Sequence, residues 1–217
     1  MGGIDWLDCA DDILTPGTDV EFEAEGHVYT RRGVRLPSVT QIIRNGGLMP
    51  TGNWLTDWTR DRGTFVHEAT HLLDKGLLDA ENLDPELGPY VRAWEKFKET
   101  SGCEIVKSEA RFFDTRGFAG TADRVARWED DYFLLDIKTG AFAPWHKIQL
   151  AAYGSQMVPL CRKSYNLAVY LQPDGEFKLG ERRTNSLSSQ GWAVFASALN
   201  LHNWKVKHGI QSNTNSN

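Results

Sequence analysis

Apolar and polar positions along the chain sort into short strand-like runs and longer stretches with helical spacing. Residues 20–23 and 27–30 are short runs around Glu25-Gly26, which predicts a small hairpin. Ser38 followed three residues later by Gln41 predicts a capped helix start, and Asn45-Gly46-Gly47 stops it. Residues 54–73 predict a helix, broken near Gly63, with Trp58, Phe65 and Leu72 on its apolar side and His67 and His71 sharing a face. Asp84-Pro85 predicts a second helix start, with Asp84 as N-cap, followed by Tyr90, Trp94 and Phe97 at helical spacing and closed by Gly102. Residues 104–113 and 117–128 predict strands, Glu109 falling near the middle of the first. A turn at Glu129-Asp130-Asp131 leads into the buried run 132–137, making an antiparallel hairpin with the preceding strand. Pro144 opens a helix to about residue 158, in which Gln149 and Tyr153 share a face with Trp145 one turn earlier. Residues 165–172 and 176–180 form a hairpin around Pro173-Asp174-Gly175, and 188–208 predict a last helix with Trp192, Phe195 and Leu199 inward. Strands in the middle with helices before and after predict an α/β (α+β) fold, a mixed sheet flanked by helices with an N-terminal hairpin. One domain over 1–217 is expected, with 1–19 as a loose arm and 211–217 as a disordered tail.

Composition narrows the function classes. With 41% apolar residues and 8 Trp in 217 residues, the chain can bury a core. The net charge of −5 excludes a broad basic surface, so any nucleic-acid binding must use a local cleft and divalent metal. The 3 cysteines, Cys9, Cys103 and Cys161, are odd in number and widely spaced, which fits a reducing compartment and neither a disulfide framework nor a zinc cluster. The acidic N-terminus and the lack of an 18-residue apolar run predict neither a signal peptide nor a membrane span.

Candidate chemistry concentrates between Gly117 and Tyr153. On the strand 132–137, Asp136 and Lys138 point to one side and Ile137 to the other. A carboxylate and an ammonium at the end of an apolar strand call for a partner, because unpaired buried charge is costly. The hairpin can bring Asp123 opposite the region of Asp136. Two carboxylates converging from neighbouring strands make a hard-oxygen site suited to Mg²⁺ or Mn²⁺. A lysine beside such a metal can hold or deprotonate a water, or steady a phosphate oxygen.

Gly120-Thr121-Ala122-Asp123, Asp136-Ile137-Lys138-Thr139-Gly140 and Gln149-x-x-x-Tyr153 resemble the signature of the PD-(D/E)XK nucleases, in particular the RecB-like branch that includes phage exonucleases. Gly63-Thr64-Phe65-Val66-His67 matches that branch's upstream helix, and Leu36-Pro37-Ser38-Val39-Thr40 resembles the opening of its phage-type members, where a docking role is expected. The resemblance implies a restriction-endonuclease-like core and a metal-dependent deoxyribonuclease, an exonuclease on linear or single-stranded DNA. It implies Asp123, Asp136 and Lys138 as catalytic. Asp123 and Asp136 hold Mg²⁺ or Mn²⁺ with His67, the backbone carbonyl of Ile137 and, as in some relatives, Glu109. Lys138 positions the water. Gln149, Tyr153, Thr139, Arg124 and Lys147 fall at DNA-facing positions. The small size and the absence of helicase motifs lead to the expectation of a stand-alone enzyme, and the resemblance implies DNA recombination and repair in the cytoplasm of a bacterium or phage-infected cell. A homo-oligomeric ring is allowed and not required. Some relatives carry a four-cysteine iron–sulfur cluster, for which this chain lacks the cysteines.

Each candidate has a plainer reading. Asp136 and Lys138 alone read as a salt bridge, His67 as a satisfied core histidine, Glu109 as a strand surface residue, and Gln149 with Tyr153 as helix packing. Arg111, Arg116, Arg124 and Lys147 are candidates for a phosphate path or ordinary solvated charge. The tryptophans suit base stacking, although Trp94, Trp192 and Trp204 sit at core spacing. His67-Glu68-Ala69-Thr70-His71 reads H-E-x-x-H, a zinc metalloprotease motif, with Glu95 as a third ligand from the next helix. Asp74 and Leu77 stand where its extended form has Gly and His, and it leaves Asp136, Lys138 and Gln149 without work. A catalytically inactive DNA-binding protein on a nuclease scaffold is the remaining alternative.

Overall fold

The computed structural model describes residues 20–50, 57–157 and 164–210, with 57–60 as backbone alone. The expected arm 1–19, the tail 211–217, Cys9, Cys161 and the side chain of Trp58 lie outside it. Three short strands, β1 (Val20–Glu23), β2 (Val28–Arg31) and β3 (Val34–Leu36), form an antiparallel sheet. Helix α1 (Val39–Asn45) follows, then α2 (Asp57–Asp74) and α3 (Gly88–Ser101). Strands β4 (Glu104–Asp114), β5 (Phe118–Trp128) and β6 (Asp131–Lys138) lead to α4 (Pro144–Gly154). Then come β7 (Ser164–Leu171), β8 (Phe177–Leu179), β9 (Arg183–Thr184) and α5 (Gln190–Lys207).

These last six strands make one mixed sheet in the order β4-β5-β6-β7-β8, with β9 also on β7. The pair β6–β7 is parallel, joined through α4, and the other pairs are antiparallel. A parallel pair needs such a crossover, and covering helices bury both faces. On one face α1, α4 and α5 bury Ile42, Leu150 and Phe195 against Phe118, Leu134 and Ala168. On the other, α2 and α3 bury Val66, Trp94 and Phe97 against Phe133, Leu135 and Ile137. Strand β6 therefore alternates Phe133, Leu135 and Ile137 one way and Leu134 the other, which sends Asp136 and Lys138 toward the α4 side.

Local chemistry sets several boundaries. Ser38 Oγ accepts from the Gln41 N–H at 3.1 Å while Gln41 Oε1 accepts from the Ser38 N–H at 2.9 Å, a complete capping box. Gly102, at φ 64°, closes α3 as expected. Helix α3 starts at Gly88 rather than at Asp84. The Asp84 carboxylate instead caps the preceding turn by accepting from the Glu86 N–H at 2.9 Å. Helix α2 runs unbroken through Gly63, and its buried positions are Val66, Ala69 and Thr70, while Phe65 is 51% exposed. Helix α4 ends at Gly154, short of the expected 158. Trp204 is 54% exposed and not core.

Candidate metal and phosphate site

Three strands carry acids at one level. Along β4 and β5, Ser108 pairs with Arg124 and Ala110 with Ala122, so Glu109 lies opposite Asp123 where the ladder is interrupted. Between β5 and β6 the last pair is Arg124–Leu135, and the same register continued one step sets Asp123 beside Asp136. Glu109, Asp123 and Asp136 thus form a row across β4, β5 and β6. Glu109 has φ 51°, a left-handed backbone that a glutamate in mid-strand adopts only when its surroundings impose it.

The row is fixed from several sides. Asp123 Oδ2 accepts from the Ile137 N–H at 2.7 Å, which locks β5 to β6 where the site lies. Helix α2 brings His67 Nδ1 to 3.4 Å from Asp123 Oδ1. Tyr29 Oη lies 2.8 Å from Thr121 Oγ1, and the Ala119 N–H donates to the Pro37 carbonyl at 3.0 Å, so the N-terminal sheet and the start of α1 are pinned to β5 just before Asp123. Packing at Gly120 is too close for a side chain without displacement of its neighbours, since a Cβ would stand 2.8 Å from Phe112 Cζ and 3.1 Å from Tyr153 Cε1.

Among the described residues, His67, Glu109 and Asp123 offer ligand atoms all within 4.8 Å of one another. This group can hold a metal ion. Asp136, the expected partner of Asp123, is outside that tight group. Its Oδ2 lies 2.8 Å from Lys138 Nζ, yet is buried with no hydrogen bond of good geometry. An imidazole and two carboxylates within reach of one point, with a third carboxylate on the next strand held only by the Lys138 ammonium, make a donor set that fits a divalent cation.

The electrostatics agree with crowded negative charge. Burial pushes the Asp136 carboxyl up to about 6, with the Asp123 charge adding to it and Lys138 opposing. Burial also raises Asp123, but His67, by charge and hydrogen bond, together with Lys138 and the Ile137 N–H, outweighs it and leaves Asp123 low, at about 2. His67 is raised, because Asp123 overcomes the effect of burial. Glu109 is raised by burial and then by Asp123, against the pull of His67 and Arg124.

Lys138 is held from the opposite face. Its Nζ donates to Gln149 Oε1 at 2.9 Å, and Gln149 Nε2 donates to Tyr153 Oη at 3.0 Å and Thr40 Oγ1 at 3.4 Å. Gln149 and Tyr153, expected to face DNA, are buried and hold the lysine instead. Thr40, expected only to dock, ends this chain of hydrogen bonds.

The other expected residues scatter. The Thr139 carbonyl accepts from Arg62 Nη2 at 3.4 Å. Lys147 pairs with Glu181 at 3.2 Å and covers the Phe142 ring. Arg116 is clamped on Asp114 and lies over Trp192, and Arg111 lies over Phe22. Arg124 is fully buried and cannot meet a phosphate in this structure. The two histidines of the H-E-x-x-H pattern also part. His67 faces Asp123, whereas His71 Nδ1 lies 2.6 Å from Ser108 Oγ, and Glu68 is exposed. No helix among the described residues is long and apolar enough to cross a membrane.

The sequence matches no family model and no curated protein. Among solved structures, the chain is similar to the protein SSO0001, with 16% identity, 78% of this chain and 84% of that one covered, and a TM-score of 0.34. It is also similar to LHK-Exo, an alkaline exonuclease from Laribacter hongkongensis, with 12% identity, 79% and 91% covered, and a TM-score of 0.36. Likenesses this loose assign neither fold nor activity.

Proposed function

We propose that this protein is a metal-dependent deoxyribonuclease, an exonuclease acting on linear or single-stranded DNA. The observation that carries the reading is the row Glu109–Asp123–Asp136, closed by His67 and flanked by Lys138. Burying three carboxylates on adjoining strands costs more than their own partners return, and a divalent cation would relieve that crowding. His67, Glu109 and Asp123 would hold Mg²⁺ or Mn²⁺, with Asp136 Oδ2 and the Ile137 carbonyl as further oxygen donors. A divalent cation supplies Lewis acidity and charge neutralisation to a phosphodiester.

The chain's own residues do the rest. Lys138, kept in place by Gln149, orients the water that attacks phosphorus, in line with the sugar oxygen that leaves. Gln149, Tyr153 and Thr40 keep the ammonium from turning away. Cytoplasmic DNA processing in a bacterium or phage-infected cell is the setting that fits this activity. The test is degradation of end-labelled linear DNA by the pure protein in Mg²⁺. Wild type should release nucleotides, and Asp136→Ala and Lys138→Ala should be inactive while folded. Cleavage by both variants at the wild-type rate would refute the assignment.

A further inference from the structure

We infer that Arg124 is the positioning residue of the metal ligands, an internal cation that fixes their three supporting elements before any metal arrives. The inference rests on the metal-site reading above. Arg124 is fully buried, and its guanidinium touches the three elements that carry His67, Glu109 and Asp123. Nη1 donates to Glu109 Oε1 at 3.2 Å on β4 and to the backbone carbonyl of Asp123 at 2.7 Å on β5. Nη2 donates to Thr70 Oγ1 at 3.1 Å on α2, and the Thr70 hydroxyl donates in turn to the His67 carbonyl at 3.0 Å. One planar fork therefore reaches Glu109 directly, Asp123 through its main chain, and His67 through Thr70.

The fork itself is anchored. Nε donates to Asp74 Oδ2 at 2.6 Å, and Asp74 Oδ1 accepts from Lys98 at 2.7 Å and from Trp94 Nε1 at 2.9 Å. The guanidinium also lies over the Trp94 ring. Only arginine offers donors in this rigid spread, so a lysine could serve one or two of the contacts and not all. The left-handed Glu109 and the break in the β4–β5 ladder fall beside Arg124. The cation stands beside that backbone and holds the Glu109 carboxylate at 3.2 Å. Residues that orient metal ligands from behind typically change affinity by roughly 10- to 100-fold when replaced.

The test is Mn²⁺ titration by calorimetry, with folding checked by thermal unfolding in EDTA. Arg124→Lys should bind Mn²⁺ roughly 10- to 100-fold more weakly than wild type while still folded. Thr70→Val keeps the shape and removes the relay, both the bond from Arg124 Nη2 and the bond to the His67 carbonyl, while Arg124 keeps Glu109, the Asp123 carbonyl and Asp74. It should lose about 3- to 10-fold, the worth of the one bond that reaches His67. In Glu109→Gln, the further loss from Arg124→Lys should be smaller than in wild type, because the two act together. A merely structural arginine would lower the unfolding temperature of Arg124→Lys and leave the Mn²⁺ affinity of the folded fraction unchanged, which would overturn the inference. If Arg124→Lys does not fold, Thr70→Val decides, and unchanged affinity there overturns it. Wild-type protein that binds no Mn²⁺ would overturn the metal-site reading and this inference with it, whereas wild-type binding with unaffected variants overturns this inference alone.

Discussion

Replacing Asp136 by asparagine should make the metal-free protein more stable while ending its activity. The carboxyl is 1% exposed, shares its surroundings with Asp123, and has the Lys138 ammonium at 2.8 Å as its close partner, which does not outweigh burial. The folded protein holds its proton up to about pH 6, against 3.8 for an ordinary aspartate. The folded state then binds more protons than the unfolded one between these values. Stability from this group is fully present below pH 3.8 and is lost as pH rises through 6. At about 1.4 kcal/mol per pH unit, the ionised group costs up to roughly 3 kcal/mol at pH 8. Asparagine removes the charge, and Lys138 keeps Gln149 as a partner. For a chain of this size the gain corresponds to roughly 5–10 °C in unfolding temperature. The assay is thermal unfolding of both proteins in EDTA at pH 8 and pH 4, followed by DNA cleavage in Mg²⁺. The variant should unfold higher at pH 8, match wild type at pH 4, and cut no DNA. In excess Mn²⁺ the wild type should recover most of the difference by binding the ion. An Asp136→Asn protein less stable than wild type in EDTA at pH 8 would refute the reasoning, because the carboxylate would then be supporting the fold.

Other expectations follow from single contacts. Gly120→Ala places a methyl 2.8 Å from Phe112 Cζ and should cost about 1–3 kcal/mol by urea denaturation. Adding Phe112→Leu should restore part of that loss, and an unchanged midpoint would count against the packing. His146 is lowered to about 3 by burial and by the Lys138 charge. Its contribution is therefore present above pH 6.5 and lost as pH falls toward 3. His146→Gln should flatten the stability–pH curve in that window, by up to about 1.4 kcal/mol per pH unit, and an equal slope would contradict this. Gln149→Leu should fold normally and lower kcat on linear DNA on the order of a hundredfold by loosening Lys138. Unchanged kcat would remove Gln149 from the positioning role.

What the sequence reveals and what it hides divides along local and non-local lines. The Ser38 capping box, the Gly102 cap and the β5–β6 turn are written in adjacent residues, and each appears where its pattern predicts. The two-residue period of β6 correctly sends Asp136 and Lys138 away from the core around Phe133 and Ile137. Phase errors arise where apolar residues exceed what a helix can bury. Phe65 and Trp204 fit an inward stripe, yet Val66 takes the buried place beside Phe65, and Trp204 lies beyond Leu199, the last buried residue of its helix. Strands β3 and β9 have three and two residues and no periodicity to read. Glu109 joins the site through a register between β4 and β5 and a left-handed backbone, and neither leaves a trace in composition. Arg124 reads as a surface cation because arginine in a strand usually is one. Its burial follows from α2 and α3 covering that face of the sheet, with Asp74 arriving from 50 residues away. Thr40 reads as docking because its partner Gln149 lies 109 residues on.

The most direct measurement is anomalous scattering from crystals soaked in Mn²⁺. The account predicts a peak within bonding distance of His67, Glu109 and Asp123, with Asp136 adjacent, and its loss in Asp123→Ala. Soaked crystals with no peak there, or a peak shared by His67 and His71, would contradict it.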